Sequence, residues 1–355
     1  MPNPEREERM VLVTCTILIA TLASAGDPAP ATPSDKIFQY LGFTAEEREE
    51  LRRGETVSHA VKELSDKELA ITMAVMVPAP VEDLLEFARS GKELEINRDV
   101  LSYGVLGAGD ADATTLQDAG FTPSEAGEVR ALYEAEPGSK FNLSQAEAQR
   151  FADLRKRFPA KDCEKNPQCA DAVVLNLRSI LRDRLAAYRA RGLAGIQPYA
   201  RGEGRESNPA EELRNATSAA RFLAREYPKI YDAFLHYPSG DQSGIESRFL
   251  WLKQRIQDRP TFILAHRVLC VRDGVAFAAE RQFYVGQSYN SLQILYGLVP
   301  TEGKTLVVYL NRTSTDQVAG FLSGTRHGVG RKIMEKEVRR HFEEVLSTLR
   351  NRPTR

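Results

Sequence analysis

The stretch FILAHRVLCVRDGVAFAAERQFYV, residues 262–285, constrains the fold more than any other part of the chain. Two runs rich in β-branched, aromatic and aliphatic residues flank Asp273-Gly274. That dipeptide favours a two-residue hairpin turn, because both central residues then take positive φ at low cost. Such a turn fixes the register. Arg272 faces Val275, Arg267 faces Glu280, and His266 faces Arg281. Side chains alternate between the two faces of a strand pair. One face therefore carries Arg267 and Glu280, a cross-strand ion pair with a sufficient structural reason. The other carries Phe262, Leu264, His266, Val268 and Cys270 against Val285, Phe283, Arg281, Ala279 and Phe277. His266 and Arg281 stand out in this otherwise apolar surface.

Two further strands follow, near 288–298 and over 305–313. The second repeats the pattern, with Leu306, Val308 and Leu310 beside one cation, Arg312. The chain then closes with an amphipathic helix in which Ile333, Met334, Val338, Phe342, Val345, Leu346 and Leu349 recur at helical spacing. That helix needs a surface to cover, and the preceding sheet is the nearest one. We expect His266, Arg281 and Arg312 to point toward it. Buried cations must be neutralised. An internal carboxylate such as Asp316 or Glu337 would serve, and so would an anionic ligand.

Upstream, residues 66–77 end in an apolar run typical of a strand. Pro80, Glu82 and Asp83 open a helix that Gly91 stops, and residues 98–107 give a second strand. From 111 to 258 the signals are mainly helical, with a long amphipathic helix over 171–192. Two segments, GFTAEEREELR from Gly42 and GFTPSEAGEVR from Gly120, each carry a capping box, Thr44 with Glu47 and Thr122 with Glu125. The chain reads as α+β: an N-terminal part over 36–110, a mainly helical insertion over 111–258, and a C-terminal sheet with closing helix over 259–352.

Residues 1–25 read as a signal peptide, with an apolar run too short to span a bilayer and a small-x-small boundary at Ala23-Ser24-Ala25. Residues 26–35 are a Pro-rich linker. The mature chain is expected to be exported, periplasmic or extracellular, without a transmembrane segment. Cys163 and Cys169 flank the turn former Asn166-Pro167, so in an oxidising compartment they are expected to form a disulfide. The 48 basic and 49 acidic residues are interleaved. That balance gives no electrostatic footprint for nucleic acid.

No motif names a reaction. Gly303-Lys304-Thr305 is no phosphate loop, because the upstream glycine, Gly297, lies one residue too far away and the segment leads into a strand rather than a helix. The five histidines assemble no catalytic pair or metal-ligand spacing, and no cofactor or metal is expected.

A strand, then PAPVEDLLEF, then an antiparallel sheet closed by a long helix resembles the START/polyketide-cyclase helix-grip superfamily. There V-x-A-P-x-E-x-V/L opens the first helix after strand one, and VPAPVEDLL at 77–85 matches it. The resemblance covers roughly 66–107 and 260–350. The chain departs from the pattern through about 150 mainly helical residues after the second strand. The whole is also similar to exported bacterial proteins of unknown function. The resemblance implies a cavity between sheet and last helix that binds lipids or other apolar molecules, with His266, Arg281 and Arg312 at a ligand head group. It carries no universal catalytic residues. The leading expectation is an exported, non-enzymatic carrier of an apolar or amphipathic anion. The alternatives are an interaction protein using the helical region and an enzyme using the same cavity.

Overall fold

The computed structural model describes residues 32–107, 115–159, 161–301, 303–319 and 323–350. The expected signal peptide lies outside them. At the centre is an eight-stranded antiparallel sheet. Its strands are β1 (Val57–Ala60), β2 (Glu68–Val77), β3 (Val100–Leu106), β6 (Glu246–Ile256), β7 (Arg259–Arg272), β8 (Val275–Val285), β9 (Ser291–Thr301) and β10 (Lys304–Ser314). They lie in the order β1-β2-β10-β9-β8-β7-β6-β3. A separate two-residue ribbon pairs β4 (Tyr199–Ala200) with β5 (Glu206–Ser207).

The hairpin forms as its turn dictates. Asp273 and Gly274 have φ of 53° and 75°. Arg272 pairs with Val275, Arg267 with Glu280 and His266 with Arg281. A bulge between Leu264 and Ala265 then shifts the register, so Leu264 pairs with Tyr284 rather than Phe283. The shift puts both Phe283 and Tyr284 into one apolar cluster, as an extra residue in one strand does.

Each face of the sheet has its own cover. Helix α3 (Val81–Ser90) follows β2, the short α4 (Lys92–Ile96) follows it, and α11 (Ser323–Arg350) closes the chain. Val81, Leu84, Phe342 and Leu346 of α3 and α11 pack on Val75, Leu269, Ala276, Leu298 and Val307. Met334, Val338 and Phe342 continue that contact onto Ile71, Met73 and Tyr309. The opposite face is covered by α1 (Pro33–Leu41), α7 (Pro167–Arg191), α8 (Pro209–Ser218), α9 (Arg221–Glu226) and α10 (Pro228–Leu235). Between β3 and α7 come α5 (Ala126–Tyr133) and α6 (Gln145–Arg157). All ten residues of β2 are buried, as expected of a strand covered on both sides.

The disulfide Cys163–Cys169 joins the segment before α7 to its first turn, with Cα atoms 5.3 Å apart and both cysteines buried. It is compatible with an exported chain. The two capping boxes form as read, Thr44 with Glu47 and Thr122 with Glu125. Among the described residues no helix is long and apolar enough to cross a membrane.

Two expectations are corrected. Residues 246–256, read within a helical region, form β6. Phe249, Trp251 and Lys253 alternate there with Leu250 and Leu252, and the next two residues, Gln257 and Asp258, both adopt positive φ to turn into β7. The second correction concerns α11. It packs on the face that carries Arg267 and Glu280, not the face of His266 and Arg281. Alternation separates the two faces but does not say which neighbour covers which. Both are largely apolar, and the inserted helices occupy the second.

Candidate functional site

The three basic residues singled out by sequence stand in one row across the sheet. His266 faces Arg281, Arg281 faces Gln293, and Gln293 faces Arg312. All lie on the face covered by the inserted helices. The row divides that face into two apolar regions. On one side Leu264 and Phe283 join the cluster around α7. On the other, Phe277, Val299 and Leu306 pack beneath α1, α9 and α10.

Each member of the row is held from within the protein. Arg281 is fully buried, and no carboxylate among the described residues makes an ion pair with it. Its Nη1 donates to Tyr188 Oη at 3.1 Å, and its Nη2 donates to Thr217 Oγ1 and the Phe234 carbonyl, each at 3.0 Å. The guanidinium also sits 4.0 Å from the Phe234 ring centroid. Its three neutral acceptors and the ring face take the place of a counter-ion. The Phe234 carbonyl belongs to the last turn of α10, where the helix dipole favours a cation.

His266 is also fully buried. Burial, then Arg281, then Arg189 push its pKa down to about 3, so at neutral pH it is uncharged. Tyr188 Oη lies 3.0 Å from Nδ1, and Ser247 Oγ lies 3.2 Å from Nε2. Tyr188 accepts from Arg281, which leaves its own proton for Nδ1. The neutral ring then carries its hydrogen on Nε2, toward Ser247. Phe249 stacks on the imidazole at 4.5 Å. Arg312 ends the row. Its Nη1 donates to Glu68 Oε2 at 2.7 Å, and both side chains are buried. The partner of Arg312 is thus Glu68, not Asp316 or Glu337.

The second polar cluster lies on the opposite face, beneath α11. Arg267 bonds Glu280 at 2.7 Å across the hairpin and also bonds Glu93 of α4. Burial alone would lower the Arg267 pKa, but the two carboxylates more than offset it and raise it. Burial raises Glu93 despite Arg267 beside it, and burial lowers His341 of α11. Glu93 Oε2 and His341 Nδ1 are buried without hydrogen-bond partners.

This cluster closes one end of a cavity of about 180 Å³ between sheet and α11. The cavity's body is lined by Leu84, Leu298, Val307, Phe342, Val345 and Leu349, with Ala88 of α3 on its wall. Arg89, Arg248 and Glu246 also border it. An engineered cavity of about 150 Å³ takes up benzene, so this space fits a bicyclic ring or a chain of roughly eight to ten carbons. His266, Arg281 and Arg312 do not line it. Among the described residues no group of His, Cys, Asp and Glu is placed to hold a metal ion.

Sequence reading missed Tyr188, Thr217, Glu93 and His341. The first two lie in the insertion, whose docking on the hairpin no local pattern encodes. His341 falls on the inner stripe of α11, next to Phe342 and one turn from Val338 and Val345, and could have been found there. Comparison with family models, with curated proteins and with solved structures returned no match.

Proposed function

We propose that the protein is a non-enzymatic binding or carrier protein for an apolar or amphipathic small molecule, held in the cavity between the sheet and α11. The observation that carries the reading is the cavity itself: an apolar body with Glu93, Arg267, Glu280 and His341 of one polar cluster in its lining. A bound apolar molecule removes water from these apolar walls, which is the ordinary hydrophobic gain. The placement of α3 directly after β2, and of α3 and α11 on one face around the cavity, supports the helix-grip resemblance.

The polar end favours a particular head group. Arg89, Arg248 and Arg267 meet Glu93, Glu246 and Glu280 there, three charges of each sign. A neutral polar head such as a hydroxyl or amide fits this balance, since the three carboxylates are already engaged by Arg89 and Arg267. A hydroxyl can both donate and accept, which suits a cavity with Glu93 and His341 in its lining.

Titration with 1-aminonaphthalene, whose fluorescence rises in apolar surroundings, tests the reading. The expected result is saturable binding, one class of which disappears in Ala88→Phe, where the ring fills the cavity. A variant that folds and binds the probe like wild type would remove this site from the account.

A further inference from the structure

We infer that the protein has a second small-molecule site on the other face of the sheet, for a neutral apolar molecule bearing one hydrogen-bond acceptor. It stands independently of the site beneath α11. Its space is a cavity of about 210 Å³ bounded by β7, β8, β9 and β10 and by α1, α9 and α10.

Three observations separate this space from a packing gap. Gly297 sits within β9, paired with Phe277 and Val308, and lines the cavity. A Cβ built there meets only the Val308 Cβ, at 4.0 Å, and the φ of Gly297 is not in the left-handed region. The backbone therefore does not demand glycine. A glycine within a strand gives up packing and often marks a close approach by a ligand. The second observation is Arg312 on the cavity wall, only 6% exposed. Its hydrogen bonds run through Nη1 alone, to Glu68 and to the Lys62 carbonyl, so among the described residues its Nη2 donates to no group.

The third observation explains why the cover does not collapse inward. Ile230 and Phe234 of α10 form part of the roof. The Phe234 carbonyl accepts from Arg281 and its ring lies over the same guanidinium. Arg281, in the same polar row as Arg312, pins the last turn of α10 in place. The buried row is thus a clamp for the roof rather than a head-group site.

The chemistry of the occupant follows. Glu68 already balances the Arg312 charge, so an anion would bring an unmatched charge into a buried place. A ketone, ester or ether oxygen can accept from Arg312 without that penalty. By the benzene comparison, a bicyclic ring or a chain of roughly eight to ten carbons fits.

The test uses the full chain, freed of co-purified small molecules on a hydrophobic resin, and the same probe, 1-aminonaphthalene. Wild type should bind two equivalents. Ala88→Phe removes the one beneath α11, and Gly297→Phe removes the other without lowering Tm. Should Gly297→Phe fail to fold, Gly297→Val, which adds three carbons, should weaken the same class at least fivefold. In Ala88→Phe, 2-heptanone should displace the remaining probe about tenfold better than heptane, the worth of one hydrogen bond to a charged donor. Two equivalents bound by folded Gly297→Phe, or a single wild-type class abolished by Ala88→Phe alone, would overturn the second site. Equal displacement by ketone and alkane would overturn the assigned role of Arg312. Loss of binding in Gly297→Phe with none in Ala88→Phe would leave this site standing and remove the one beneath α11.

Discussion

Arg267 and Arg281 lie on adjacent strands of one hairpin, on opposite faces of the sheet, and are buried in opposite ways. Arg267 is matched by two carboxylates, Glu280 from the neighbouring strand and Glu93 from α4. Arg281 has hydroxyls, a carbonyl and an aromatic ring, and no ion pair among the described residues. The difference follows from what each face is for. The Arg267 cluster borders the cavity beneath α11. Arg281 is enclosed by α7, α8 and α10, where it fastens the inserted helices to the sheet.

Substitution should expose this contrast first. Arg267→Met strands Glu93 and Glu280 as buried carboxylates without their cation. Breaking a fully buried pair costs about 3–5 kcal/mol; with the Arg267 side chain 24% exposed, the loss should be about 3 kcal/mol, read from urea unfolding at pH 7. Arg281→Met removes a charge that has no buried counter-ion, so it should cost less than half as much. Equal losses for the two variants would break the comparison.

Acid should separate the faces next. The folded pKa of His266 is depressed to about 3 from an ordinary 6.5. Its contribution to stability is therefore present above pH 6.5 and is lost as pH falls toward 3, by up to about 1.4 kcal/mol per pH unit. Glu93 runs the other way. Its folded pKa is raised by burial, so its contribution is full below the unfolded value and is lost as pH rises through the folded one. Stability measured from pH 7 to 4 should fall less steeply in His266→Gln than in wild type. A parallel pH profile for the two proteins would contradict the buried neutral imidazole.

The disulfide offers a smaller effect confined to the Arg281 side. Replacing Cys163 and Cys169 by serine should cost about 2 kcal/mol for so short a loop. Probe binding beneath α11 should be unchanged. The smallest effect concerns Cys270, whose thiol is buried and pushed up to about 11. N-ethylmaleimide at pH 7 should label it only slowly, and an occupant of the adjoining cavity should slow it further. Rapid labelling in the native state would show that face to be open.

The hairpin shows how much of this was legible. Asp273-Gly274 fixed the pairing of His266 with Arg281 and of Arg267 with Glu280, because turn geometry is local. The bulge at Leu264 was not legible, since no residue there demands an extra position. The alternation of Phe249, Trp251 and Lys253 marked β6, yet the surrounding helical signals hid it. The row of His266, Arg281 and Arg312 was anticipated on one face; the identity of the covering helices was not. That choice depends on contacts between segments distant in sequence, such as Tyr188 with His266 and Phe234 with Arg281. Gly297 was weighed only as part of a failed phosphate loop. Its meaning as a vacant place in a strand appears once Phe277 and Val308 are set beside it.

Mass spectrometry of small molecules extracted from the protein purified from its native source tests the central claim most directly, with wild type compared against Ala88→Phe. The account predicts an apolar or amphipathic molecule of low charge in near-stoichiometric amount with wild type, strongly reduced in folded Ala88→Phe. The same molecule in equal amount in both proteins would contradict binding beneath α11, and so would its absence from wild type.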